Sequence, residues 1–247
     1  MDERTERPVN GRVVVVTGRG ATSGRWWRPS PPRPITATSG TGEHRGIVVT
    51  CDVVDPAALG AVDVQVERAL GAVDVRGNNA GAVTPLGPTG HIDVGGRVDA
   101  LAIILTGAFV RLRTALPSTL ACRWGRIVNV STGAAAAASL RTAGREMRTA
   151  NLAVEVAGGG VNVQVVWPGV VHSAMPVYVR SQWLGAGGDA FVTPLRALKE
   201  TGRRRAASLP AHLIAHLVAP GATGEIANIT NACEPEPWDV LPQNGVV

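Results

Sequence analysis

The chain has 247 residues, 45% of them hydrophobic and 17% charged, with a formal net charge of +5. That length and apolar content suit one large α/β domain with a sizeable core and exclude disorder of the whole chain. The positive charge is almost all arginine and is scattered, with Arg203, Arg204 and Arg205 as the one tight run, so no nucleic-acid partner is expected and a phosphate-bearing ligand accounts for the charge equally well. Cys51, Cys122 and Cys233 lie far apart without a CxxC spacing, which argues against a metal site or a disulfide framework. The start MDERTERP is charged, and no apolar run reaches the ~18 residues a membrane span needs. A cytoplasmic protein without a membrane partner is the expectation.

Along the chain, Arg12 to Val16 is a β-branched run that ends at Thr17-Gly18 and a glycine-containing turn, the pattern of a buried strand feeding a phosphate loop. The next stretch, WWRPSPPRP from Trp26 to Pro34, cannot be helical without losing about 3 kcal/mol at each interior proline. Any helix starting near Ser23 is therefore at most one or two turns long. Ile35 to Ser39 is the second strand, and Ile47 to Thr50 is a further one that leads into Cys51-Asp52. Asp55 is placed to cap a helix over Pro56 to Leu70, with proline at its first position. Val73 to Val75 leads into Asn78-Asn79-Ala80-Gly81, Arg126 to Val130 into Ser131-Thr132, and Val161 to Val166 into Pro168-Gly169. Helices are expected between them, from about Val98 to Leu120 and from about Arg145 to Ala157. Such alternation implies a doubly wound parallel sheet, with ligands at the carboxyl ends of the strands. His212 and His216 share a helical spacing, but no third ligand is near, and they read as an exposed pair beside an apolar stripe.

The ordered set TGRGATSG (17–24), CDV (51–53), NNAG (78–81), GRIVNVST (125–132) and PGVVHS (168–173) resembles the short-chain dehydrogenase/reductase family. The segment Ile35-Thr36-Ala37-Thr38-Ser39 is similar to the second strand of its 3-oxoacyl-carrier-protein reductase branch. The resemblance runs from about Gly11 to Ile229. It implies a single-domain Rossmann-type fold with three α/β/α layers over residues 1–233, followed by an irregular tail from Glu234 to Val247. It also implies an NAD(P)-dependent oxidoreductase that moves hydride between nicotinamide and a small carbonyl or secondary alcohol substrate. A homodimer or homotetramer, built on the two central helices, comes with it.

By the same resemblance, Gly18, Arg19, Gly20, Ala21 and Gly24 line the phosphate turn, with Thr22 where the family has its middle glycine. Asp52 and Val53 flank the adenine; Asn79, Ala80, Gly81 and Val130 line the cofactor channel; Pro168, Gly169, Val171 and Ser173 hold the nicotinamide end. Met175, Tyr178 and Trp183 belong to the substrate lid. None of Thr38, Ser39 and Gly40 is acidic at the end of the second strand, which favours NADP over NAD, with Arg19 or Arg45 meeting the 2′-phosphate; Glu43 leaves NAD open.

The family reaction needs a tyrosine to move a proton, a hydroxyl to hold the substrate oxygen and a lysine to tune the tyrosine. Thr132 occupies the hydroxyl position. The family spacing counted forward from Thr132 lands on Arg145, with Thr149 one turn beyond, and counted back from TANLAVEV it lands on Ala138 and Thr142. Arg145 stays protonated and is a poor proton donor. The only tyrosine in the chain is Tyr178, the only lysine is Lys199, and Ile104 stands where the family often has the asparagine of a proton relay. A catalytically silent dinucleotide-binding protein, or a silent partner in an oligomer, is therefore the alternative to an active oxidoreductase.

Overall fold

The computed structural model describes residues 12–18, 33–39, 45–83, 85–87, 89–131, 140–168, 178–179, 226–228 and 240–241. Its elements in chain order are β1 (Val13–Thr17), β2 (Arg33–Ser39), β3 (Arg45–Cys51), α1 (Pro56–Leu70), β4 (Val75–Asn78), α2 (Val94–Leu101), α3 (Gly107–Ala121), β5 (Gly125–Val130), α4 (Leu140–Glu155), β6 (Val161–Trp167), β7 (Ile226–Asn228) and β8 (Val240–Leu241). The strands form one sheet in the order β3-β2-β1-β4-β5-β6-β7-β8. From β1 through β4, β5 and β6 to β7 every pairing is parallel. This is a single-domain α/β fold of the Rossmann type.

Two strands depart from the parallel rule. β2 runs antiparallel to both β1 and β3, with Thr17 opposite Ile35 and Val13 opposite Ser39. The cause is the length of the link from β2 to β3. Residues 40–44 cannot span a crossover, which takes a dozen residues or more, so adjacent strands joined by so short a link must reverse. β3 has to point toward α1 and therefore keeps the direction of β1, which leaves β2 as the reversed strand. The second departure is β8, where Val240 and Leu241 of the tail pair antiparallel with Ala227 and Ile226. The tail therefore contributes an edge strand.

α1 begins where the sequence places it. The Asp55 carboxylate accepts from Ala57 N and Ala58 N at 2.8 and 3.1 Å, satisfying two of the free N–H groups of the first turn. Leu59, Val62 and Val66 recur at helical spacing and pack under Val13, Val15, Cys51 and Val110. A second cluster joins Leu112 of α3, Leu152 and Ala153 of α4 and Val156 just beyond it to Ile127, Val161 and Val163 of β5 and β6. Since α3 belongs to both clusters, α1, α3 and α4 form one continuous layer on the sheet.

α2, a π turn over Ala102–Thr106 and α3 are joined end to end. The resulting helix, Val94–Ala121, is long and apolar enough to cross a membrane by length and composition, which the sequence reading did not anticipate. Ala108, Val110, Leu112 and Ala115 lie buried in the core of the domain, where a central helix of an α/β sandwich meets the same test. Pro117 sits inside α3, where it removes one helical hydrogen bond.

At the amino ends of the parallel strands lies a compact polar cluster. The Asp74 carboxylate accepts from Val13 N at 2.9 Å and pairs with Arg12 at 3.4 Å. The Arg12 and Arg126 guanidiniums flank the Trp124 ring at 3.4 and 4.4 Å from its centroid. All four side chains are buried, and burial together with the neighbouring Arg12 lowers the pKa of Arg126 below the usual guanidinium range. A second buried arginine, Arg76 of β4, donates to Val73 O and Thr119 Oγ1, and burial beside Arg111 lowers its pKa to about 10.

Candidate functional site

The carboxyl ends of β1, β4, β5 and β6 converge, and their side chains are tied together across the strands. Thr17 closes β1. Its Oγ1 accepts from Asn79 N and Ala80 N, each at 3.1 Å, while its carbonyl accepts from Asn79 Nδ2 at 3.1 Å. Gly18 follows at φ 86°, in the region glycine tolerates and other residues avoid. A Cβ built there would stand 2.7 Å from Ala80 Cα, so only glycine lets the turn lie on the Asn79-Ala80 backbone. This close approach is the packing role of a motif glycine, and it seats the start of the TGRGATSG segment at the converging carboxyl ends of the strands, where a dinucleotide fold takes its ligand.

The next links run deeper. Asn78 Nδ2 donates to Asn129 Oδ1 at 2.8 Å, and Asn129 Nδ2 donates to Thr149 Oγ1 at 2.9 Å, joining β4, β5 and α4 in one chain of bonds. At the tips of β5 and β6, Glu146 of α4 accepts on Oε1 from Ser131 Oγ and from Trp167 Nε1, both at 2.7 Å. Glu146, Thr149, Leu152 with Ala153, and Val156 follow helical spacing, so one stripe of α4 carries both the polar bonds and the apolar contacts to the sheet. Arg148, on the neighbouring face, donates from Nη1 to Leu105 O in the π turn at 2.8 Å. Burial lowers its pKa.

The structure brings Gly18, Asn79, Ala80 and Gly81 together at the rim, with the half-buried Val130 and Pro168 at the ends of β5 and β6. Asp52 turns its carboxylate onto its own loop, where Oδ1 accepts from Val54 N at 3.1 Å. Val53 is buried against the start of α3, where a Cβ at Gly107 would come within 2.9 Å of Val53 Cγ2. Between Thr17, Val53, Asn78, Ala80 and Gly107 remains a cavity of about 10 Å³, room for one water. Thr38 lies away from the rim. Because β2 is reversed, Thr38 pairs with Val14 near the amino end of β1 and not beside Thr17 at the rim. The strand end expected to read the ribose lies at the wrong end of the sheet, and the basis for favouring NADP through Thr38, Ser39 and Gly40 goes with it.

Tyr178 is half-buried, and it and the buried Val179 are both helical. Arg145 lies in α4, its side chain outside the described residues, as are Arg19, Gly20, Ala21, Gly24, Thr132, Gly169, Val171, Ser173, Met175, Trp183, His212 and His216. Thr149, one of the positions reached in place of the lysine, faces the sheet and is buried with Asn129. The sequence reading missed Thr17, Ser131, Glu146 and Trp167. The signal was present, since Thr17 and Ser131 both end strands in the motifs and Glu146 begins the buried stripe of α4.

The family model described as short chain dehydrogenase matches residues 30–183. The chain belongs to the short-chain dehydrogenase family, whose members are NAD(P)-dependent oxidoreductases. Among curated relatives it is 36% identical over 160 residues to the inactive 2-(S)-hydroxypropyl-CoM dehydrogenase 2 of Xanthobacter autotrophicus, covering 61% of this chain and 67% of that one. It is 32% identical over 197 residues to a putative ketoacyl reductase of Streptomyces coelicolor, covering 74% and 75% of the two chains. Among solved structures the fold is similar to the KRED1-Pglu enzyme, with a TM-score of 0.64 at 20% identity over 71% of this chain and 76% of that one. It is also similar to NAD+-bound xylitol dehydrogenase, with a TM-score of 0.63 at 21% identity over 73% and 76%.

Proposed function

We propose that the protein binds a nicotinamide dinucleotide across the carboxyl ends of β1, β4, β5 and β6 and transfers hydride between it and a small carbonyl or secondary alcohol substrate. The observation that carries this reading is the contact of Gly18 with Ala80, which keeps the glycine turn on the Asn79-Ala80 backbone. Gly18, Asn79, Ala80 and Gly81 hold the cofactor, and Thr17 fixes their geometry. When bound, the dinucleotide supplies the hydride acceptor or donor. NAD and NADP are both admitted, because Thr38, at the end of β2 expected to read the ribose, pairs with Val14 away from the rim.

A second reading, a catalytically silent dinucleotide-binding protein, is favoured by one specific observation. Neither Ala138 with Thr142 nor Arg145 with Thr149 supplies the family's tyrosine and lysine. Purified protein tested for NADH and NADPH binding by fluorescence, and for turnover with a panel of ketones and secondary alcohols, separates the two. Binding with turnover is the expected result, binding without turnover leaves the silent reading, and failure to bind either dinucleotide rejects both.

The same family reading carries self-association through α3 and α4. Phe109 and Met147 are 49% and 57% exposed, Val154 is 79% exposed, and Arg148 lies 5.8 Å from the Phe109 ring, so the two helices present one apolar face. Sedimentation of the wild type as a dimer or tetramer, and of a Phe109→Glu, Val154→Glu variant as a monomer, is the expected outcome. An unchanged sedimentation coefficient in the variant places any assembly elsewhere.

A further inference from the structure

We propose that Ser131 and Glu146 form a proton relay that serves the hydride-transfer site in place of the missing tyrosine and lysine; the proposal rests on the oxidoreductase reading above. Glu146 is the one carboxylate that α4, β5 or β6 brings to the converging strand ends among the described residues. Ser131 stands at the carboxyl end of β5, directly before the Thr132 expected to hold the substrate oxygen, and its backbone N–H is fixed to Val166 O at 2.8 Å. Trp167 approaches the same carboxylate oxygen from β6, so two donors on neighbouring strands lock the carboxylate in place. Ser131 is 8% exposed, and a short hydrogen bond in so dry a setting is stronger than in water.

The chemistry follows from the number of protons. A serine hydroxyl has one hydrogen to donate, and Ser131 spends it on Glu146, which leaves lone pairs for a second partner. With Glu146 ionised, Ser131 accepts from an alcohol and does not donate to a carbonyl. In alcohol oxidation the substrate O–H proton passes to Ser131 Oγ while the Ser131 proton passes to Glu146. A bound oxidised dinucleotide would accept the carbon-bound hydrogen with its electron pair as the carbonyl forms, and Glu146 later releases its proton to water. Carbonyl reduction is the reverse and requires Glu146 protonated at the start.

Among the described residues, β5, β6 and the π turn bring no other ionisable side chain to this end of the sheet. Neither β6 nor the π turn carries an ionisable side chain, and the only one on β5 is Arg126 in its first turn of chain, at the opposite end. On α4, Arg148 donates from Nη1 to Leu105 O while its buried Nη2 has no partner among the described residues, and the Arg141 and Arg145 side chains lie outside the described residues.

Glu146→Gln tests the relay, because an amide oxygen still accepts from Ser131 and Trp167 but cannot take up a proton. With NAD(P)H bound as in the wild type, Glu146→Gln is expected to turn over roughly 100-fold more slowly or worse, the loss that follows removal of general acid–base catalysis. The limb of the pH profile set by Glu146 is expected to vanish. In the protein without cofactor, the Trp167 indole N–H resonance, assigned through Trp167→Phe, is expected to shift with pH in the wild type and to stop shifting in Glu146→Gln. Turnover and a pH profile in Glu146→Gln equal to those of the wild type, or a Trp167 resonance that never moves with pH, overturn the relay and leave the oxidoreductase reading standing. Bound cofactor without turnover in the wild type overturns both.

Discussion

Gly18→Ala is expected to destabilise the protein by about 2–5 kcal/mol and to abolish dinucleotide binding. Two costs add. The φ of 86° lies in the left-handed region, where a side chain costs roughly 1–2 kcal/mol. The new Cβ also meets Ala80 Cα at 2.7 Å and Ala80 N at 2.9 Å, and overpacking against backbone costs about 1–3 kcal/mol. Ala80 cannot yield alone, because its N–H is held on Thr17 Oγ1 together with that of Asn79. The strain therefore parts the ends of β1 and β4, where the phosphates are to lie. Thermal unfolding followed by circular dichroism should show the midpoint fall by several degrees, at ~2–4 °C per kcal/mol for a domain of this size. A variant that melts and binds NAD(P)H like the wild type would show that the turn does not rest on Ala80.

The second large effect lies at the opposite end of the sheet. Asp74→Ala is expected to cost about 3–5 kcal/mol, the range for removing one partner of a buried ion pair. It strips Val13 N of its acceptor and leaves the Arg12 guanidinium buried without its carboxylate, beside a second buried cation across the Trp124 ring. With the usual margin of 5–15 kcal/mol, a loss of this size is enough to leave the variant barely folded near body temperature. Adding Arg12→Leu to Asp74→Ala should restore a large part of the loss, since the stranded charge is then gone. Urea denaturation of the two single variants and the double variant measures the coupling directly, and strictly additive effects would refute the pairing.

Much of this architecture is legible in the sequence, and the reasons differ from element to element. α1 is read to the residue because Asp55 and Pro56 mark its start and Leu59, Val62 and Val66 its buried stripe. The parallel strands announce themselves as β-branched runs ending in small or polar residues. The direction of β2 was missed because hydrophobic pattern is blind to strand direction, although the short link at residues 40–44 already excluded a crossover. At the candidate site, Gly18 and Ala80 are picked out by motif, and the structure packs them against each other. Glu146 is not picked out, because motif counting looks for a tyrosine and passes over a carboxylate that only the fold brings to Ser131. What the family's own chemistry requires is absent from α4, and what stands near that place cannot be inferred from spacing alone.

The reversed strand also bears on how the sheet comes together. In a parallel Rossmann sheet every pairing waits for a crossover to close. Here β1, β2 and β3 form an up-down-up meander, in which Thr17 meets Ile35 and Arg33 meets Cys51 between neighbours in the chain. Val14 meets Val75, by contrast, only after β2, β3 and α1 have passed. Pairings between chain neighbours lose less loop entropy and form sooner. The edge of the sheet that departs most from the family pattern is thus the edge whose pairings span the least chain, while the pairing of β1 with β4 closes a longer loop.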